Sequence, residues 1–196
     1  MIKMKNGSII PKNIKLEESY KIDNDTIFLN IDVNKIIKLL KDFVKKQKEE
    51  LFLFIEIPTN INEINKEEDN DYIDIYYWDA IDMYQIDELL NQYGDILVND
   101  GLCEFGFGVK SFTEEVMCLK YNMIRIYSKE KVNKYKDMLN SFDINETIDF
   151  KCAWDYFTED NPGISELYTK DGQTVYDIID ILKEKGLYLG ERKKLK

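Results

Sequence analysis

Asn99–Ser111 reads NDGLCEFGFGVKS, and its glycines and its Lys-Ser pair are the residue types from which phosphate-cradling loops are built. Such a loop requires GxxxxGK[ST], because backbone N–H groups surround the phosphates while the adjacent Lys and hydroxyl reach the γ-phosphate and its Mg²⁺. Gly101 and Gly106 have the spacing, but Phe107 stands where the Lys is needed, and Lys110 and Ser111 come too late. A dinucleotide fingerprint fails as well, since Gly106 and Gly108 are not followed by a third glycine opening a helix. As a strand the same residues alternate: Cys103, Phe105, Phe107 and Val109 turn inward, while Leu102, Glu104, Gly106 and Gly108 face the other way and leave a bare strip of backbone. We expect a ring or a helix of this same chain to fill that strip.

Three further constellations carry less. Asp149 and Lys151 have the D-x-K spacing of Mg²⁺-dependent nucleases, but no matching upstream Asp is evident, and a net charge of -11 repels phosphate. Glu67, Glu68, Asp69, Asp71 and Asp74 crowd oxygen ligands suited to Ca²⁺, without the glycine or the terminal Glu of an EF-hand loop. Carboxylate pairs flanked by Tyr and Trp could serve a glycoside hydrolase, whose defining carboxylate separation is not written in a sequence. The chain has no His, which removes the commonest general base and the commonest transition-metal ligand. Cys103, Cys118 and Cys152 lack CxxC spacing and, with no export signal in the first thirty residues, are expected to be reduced, buried and inert. No catalytic set, cofactor or metal is expected.

The acidic excess is concentrated. From Glu67 to Val109 there are twelve acidic residues and no Lys or Arg, although the chain is otherwise rich in Lys. In the same segment YIDIYYW, residues 72–78, alternates so that Ile73, Ile75 and Tyr77 share one face, assigned to the core, and Tyr72, Asp74, Tyr76 and Trp78 share the other. Asp79, Asp82, Asp87 and Glu88 follow. Large rigid aromatics supply most interface hot spots, and a one-signed field speeds encounter with an oppositely charged partner. The candidate partner-binding residues are therefore Tyr72, Asp74, Tyr76, Trp78, Asp79, Asp82, Asp87 and Glu88.

The elements that must position these groups follow from periodicity and caps. Strands are predicted at 26–31, 51–58, 72–78, 96–98, 102–109, 115–121 and 123–127, with another at 147–154. Helices are predicted after Asp32, after Asp82 with Gln85 in a capping box, over 129–141, and after Thr174 with Asp177 three residues on. Residues 59–71 form an acidic exposed loop, and 191–196, ERKKLK, a frayed basic tail. With no repeat and no Gly/Ser linker, residues 1–196 form a single α+β domain. A mostly antiparallel sheet of about five to seven strands carries about four helices.

With 44% hydrophobic residues the chain folds, and no apolar run is long enough to span a bilayer. The expectation is a cytoplasmic, non-enzymatic binding protein: an acidic inhibitor, of the immunity type found in bacteria, that caps a basic protein such as a toxin or nuclease. Neither nucleic acid nor membrane is expected as a partner. The alternative is a carboxylate-based hydrolase, or a small-ligand or sugar binder with an aromatic cleft.

Overall fold

Local hydrogen bonding starts the helices where the sequence places them. Asp32 caps α1 (Val33–Val44) by accepting from the Asn34 N–H, and Asp82 caps α2 (Met83–Gln92) in a reciprocal box with Gln85. Thr174 and Asp177 do the same for α5 (Val175–Lys183). These caps satisfy backbone donors that have no intrahelical partner, typically for about 1 kcal/mol each. The computed structural model describes residues 2–60, 72–129 and 132–194. Most of the expected acidic loop, residues 61–71, lies outside the described residues.

The architecture is α+β. Along the chain the strands are β1 (Ser8–Ile9), β2 (Ser19–Asp23), β3 (Thr26–Asn30), β4 (Leu51–Pro58), β5 (Tyr72–Ile81), β6 (Glu104–Val109), β7 (Glu114–Cys118), β8 (Met123–Ser128), β9 (Asn145–Glu146), β10 (Ile164–Ser165) and β11 (Tyr188–Lys194). The remaining helices are α3 (Gly94–Asn99) and α4 (Lys136–Asn140). Nine strands form one sheet in the order β11-β5-β4-β6-β7-β8-β3-β2-β9, and β1 pairs with β10 apart from it. Neighbours in the large sheet are antiparallel except β2 and β9, so the sheet is mixed and larger than the five to seven strands expected.

Four expectations are corrected. Ile96–Val98, read as a strand, lies in α3, because Gly94 opens a second helix instead of ending the fold's helical run. The helix expected over 129–141 is a 3-10 turn at 132–135 followed by α4. Asp149 and Lys151 sit on no strand, since pairing in that region is confined to Asn145–Glu146. The tail expected to fray is β11 through Lys194, paired with β5 along its length.

All five helices feed one core. Val33, Ile36 and Phe43 of α1, Ile86 and Leu89 of α2, Leu97 of α3, Leu139 of α4 and Ile178 of α5 are buried against Leu53, Ile55, Phe105, Phe107, Val116 and Ile126 of the strands. The ladder registers put those strand residues on one face of the sheet. The opposite face carries a separate cluster of Phe52, Phe54, Met117, Tyr77 and Leu119, to which no helix among the described residues contributes. Among the described residues the large sheet is thus covered by helices on one face only.

The glycine strip of β6 is filled from its neighbour. Phe54 pairs with Gly106 and Phe52 with Gly108 across β4 and β6, and the two rings lie on the bare backbone. The three nearest atoms to a methyl group at Gly108 all belong to the Phe52 ring, whereas one at Gly106 would collide with the Val116 carbonyl oxygen as well as the tip of Phe54. Rings can swing and a paired backbone cannot. Gly108→Ala should therefore cost about 1 kcal/mol and Gly106→Ala about 3 kcal/mol, measured by chemical denaturation.

Candidate functional site

The NDG turn is a structural knot. Asp100 is fully buried, and its carboxylate accepts from the backbone N–H groups of Leu102, Cys103 and Tyr168. The Gly101 N–H donates to Glu166, and Gly7 bonds to both Asn99 and Glu166. Backbone donors that a phosphate would need are already bound inside the chain. The thiols are equally closed to chemistry: burial pushes Cys103 well up and Cys118 up to about 11, so neither is a thiolate at neutral pH. Cys152, expected to be buried, is only partly so, and its thiol is raised too, by burial and then by its hydrogen bond to Asp155. Asp149 and Lys151 are exposed and share a cleft with one further carboxylate, Glu17. Among the described residues no cluster of three or more His, Cys, Asp or Glu is arranged to hold a metal.

The eight sequence-predicted site residues divide between inside and outside. Asp74 is 1% exposed, and Tyr76 and Trp78 are buried in the main core beside α2 and α5. The faces of β5 are reversed relative to the expectation: the Asp74, Tyr76 and Trp78 side meets the helices, and Ile75 and Tyr77 look to the helix-free side. Alternation states that a strand has two faces without stating which is inward. Here the larger rings went under the helices, where an aromatic buries about 150–250 Å².

Asp74 tolerates burial because Arg192 of β11 grips it. Nε donates to Oδ1 at 2.6 Å and Nη2 to Oδ2 at 2.8 Å, while the Thr59 hydroxyl donates to Oδ1 at 2.8 Å. Burial favours the neutral acid, but the hydrogen bonds from Arg192 and Thr59 and the guanidinium charge outweigh it and hold the carboxyl below its ordinary value. Tyr72 is half-buried opposite Lys194.

The other four residues are exposed and engaged. Asp79 accepts from the Tyr188 hydroxyl at 2.8 Å, and Asp82 is spent on the α2 cap. Asp87 pairs with Lys41 at 2.6 Å, and Glu88 lies 3.8 Å from Lys185. Asp95, in the same acidic segment, pairs with Lys170. The cations missing from this segment are supplied by α1, β11 and the loops before and after α5.

What the sequence reading missed lies on the helix-free face. Phe54, Phe52, Tyr77 and Tyr188 form a chain of rings with centroids 6.0 to 6.3 Å apart, and Phe112 joins at 5.4 Å from Phe52. Phe112 is 74% exposed. Beside the rings, Glu56 of β4 stands directly opposite Glu104 of β6. Burial, and then the facing Glu104, push the Glu56 carboxyl above its ordinary value, only partly offset by Lys193 and Arg125. Glu104 accepts from the Lys120 N–H and Glu115 pairs with Arg125, whereas Glu56 has no hydrogen bond or ion pair among the described residues. A sequence signal for this face existed: Phe52-x-Phe54 and Gly106-x-Gly108 share the same two-residue period.

Removing the carboxylate of Asp74 strands the Arg192 guanidinium, so Asp74→Ala should destabilise by about 2–4 kcal/mol, and Asp74→Lys should prevent folding. Because the folded value of Asp74 is lowered, its stabilisation is complete above the ordinary value of 3.8 and is lost as pH falls from there through the folded value. Acid unfolding followed by circular dichroism should show that component in the native chain and not in Asp74→Ala.

No protein-family model, curated protein or solved structure matches this chain.

Proposed function

We propose that the chain is a non-enzymatic binding protein that caps a basic protein, an inhibitor of the immunity type, and that it docks with the helix-free face of its sheet. The observation that carries this reading is the opposed pair Glu56 and Glu104 beside the chain of five rings. Like charges directly opposite on neighbouring strands are destabilising by about 0.2–1 kcal/mol. In the free protein that penalty stands, and a partner's Lys or Arg placed between the two carboxylates relieves it. The rings beside them are already seated in the free protein, each of Phe52, Phe54 and Tyr77 lying on a glycine of the adjacent strand, at Gly108, Gly106 and Gly190. A pre-ordered aromatic surface loses little conformational entropy on binding. Capping by such a face inhibits through occlusion, with carboxylates taking the positions of the partner's anionic substrate.

The acidic residues on α2 serve this reading less well. Asp87 and Glu88 already face Lys41 and Lys185, and Asp82 is consumed in a cap. Paired in this way, they add little either to the contact itself or to the field that steers a partner.

Two measurements test the reading. Folding disfavours the ionised form of Glu56, so its penalty is absent below the ordinary value of 4.5 and sets in as pH rises through the higher folded value. Glu56→Gln should therefore raise the melting temperature of the free protein at neutral pH, by about 1–3 °C. Immobilised protein should retain a basic protein from source lysate at low salt and release it at high salt. Phe112→Ser and Glu56→Lys should each weaken that retention by about 30-fold, the effect of a 2 kcal/mol hot spot, while Tyr84→Ser on α2 should leave it unchanged. Retention lost only on changing α2 would move the contact to the helical side, and a bait that holds no basic protein at low salt would overturn the capping function.

A further inference from the structure

On the opposite side of the sheet, between α2 and α5, a cleft of about 220 Å³ is lined by Trp78, Gln85, Glu88, Leu89, Tyr93, Leu182 and Lys185. Two of its walls are nearly buried aromatics whose polar tips have no partner. Trp78 is 8% and Tyr93 7% exposed, yet neither the Trp78 indole N–H nor the Tyr93 hydroxyl makes a hydrogen bond among the described residues. Neither atom is sealed off from solvent, and both side chains line the cleft. Buried Trp and Tyr tips are ordinarily satisfied, and two left open on one cavity are a prepared pair of hydrogen-bonding positions.

The rest of the lining narrows the ligand. Leu89 and Leu182 give an apolar floor, which suits a hydrocarbon group and not a polyol. The rim carries one charge of each sign, Glu88 and Lys185, at 3.8 Å, the outer limit of an ion pair. A loose pair of this kind is opened by a ligand that carries both counter-charges on one carbon. The volume is below the roughly 300–1,000 Å³ of sites for drug-sized molecules, so the ligand is small.

We propose that this cleft binds a free α-amino acid with an apolar side chain. Its carboxylate accepts from the Trp78 indole N–H and the Lys185 ammonium, its ammonium donates to Glu88, and its side chain rests on Leu89 and Leu182. The cleft lies on the helix-bearing side, so the proposal is independent of the docking face and of its partner.

The test follows the Trp78 indole N–H resonance in ¹⁵N-labelled protein carrying Trp154→Phe, which leaves a single indole signal. Leucine or phenylalanine at millimolar concentration should shift that signal saturably and raise the melting temperature, since a ligand binding only the native state stabilises it. N-acetylleucine, which lacks the ammonium, and leucine methyl ester, which lacks the carboxylate, should each bind at least tenfold more weakly. Glu88→Gln and Lys185→Met, both on the exposed rim, should show the same loss with leucine while melting like the parent. No saturable shift with any apolar amino acid would overturn the proposal. So would equal binding of the acetylated or esterified forms, or a shift produced by glucose and not by leucine.

Discussion

A carboxylate with 1% of its surface exposed stays ionised inside a protein only if a fixed cation and hydrogen-bond donors replace its water, and Asp74 has Arg192 and Thr59 for that purpose. Much else depends on this contact. It ties residues 188–194 onto β5 as the edge of the sheet, it fixes the register of the two strands, and it places the even-numbered side of β5 beneath the helices. With that side inward, Tyr76 and Trp78 become core, and Tyr77 is delivered to the other face to join Phe52 and Tyr188. A basic edge strand also discourages pairing with a further chain, since β11 presents Arg192, Lys193 and Lys194 at the sheet's margin.

The helix-free face solves a different packing problem. A sheet surface without helices cannot bury tall apolar side chains, but it can lay rings flat where the neighbouring strand has no side chain. Phe54 over Gly106, Phe52 over Gly108 and Tyr77 over Gly190 are three instances of one device, on three adjacent strand pairs' worth of surface. The apolar surface so hidden is shallow, and its continuation through Phe112 and Tyr188 is exposed. Structural support and readiness for contact therefore come from the same rings.

What was legible in the sequence was local. The boxes Asp82/Gln85 and Thr174/Asp177 were readable because each is closed within four residues, and the inward set Cys103, Phe105, Phe107 and Val109 because strand alternation needs no partner. The assignment of faces on β5 was not, since it depends on Arg192, more than a hundred residues away, and on which face the helices choose. The tail reads as frayed because its charge, taken alone, does not show the acidic strand that it neutralises. Ile96–Val98 looked like a strand because a short apolar run has no period of its own. Of the candidate site, the aromatic and acidic character of β5 was visible, but the face open to a partner was the other one.

Charge counted along a chain is not charge felt in space. The segment from Glu67 to Val109 has no cation of its own, yet among its described acids Asp74, Asp87, Glu88 and Asp95 each face a Lys or Arg from elsewhere. The pairs on the surface add little stability individually and are screened by salt, so their main effect is to cancel the local field. The net charge of -11 must then act through groups left without a counter-ion. Glu56 is one of these, and it is half-buried, faces a second carboxylate, and adjoins the exposed rings. An uncompensated charge in such surroundings is unfavourable to the free protein and favourable to a complex with a cation. That asymmetry, and not the density of acids in the sequence, is what distinguishes a binding face from a solvated one.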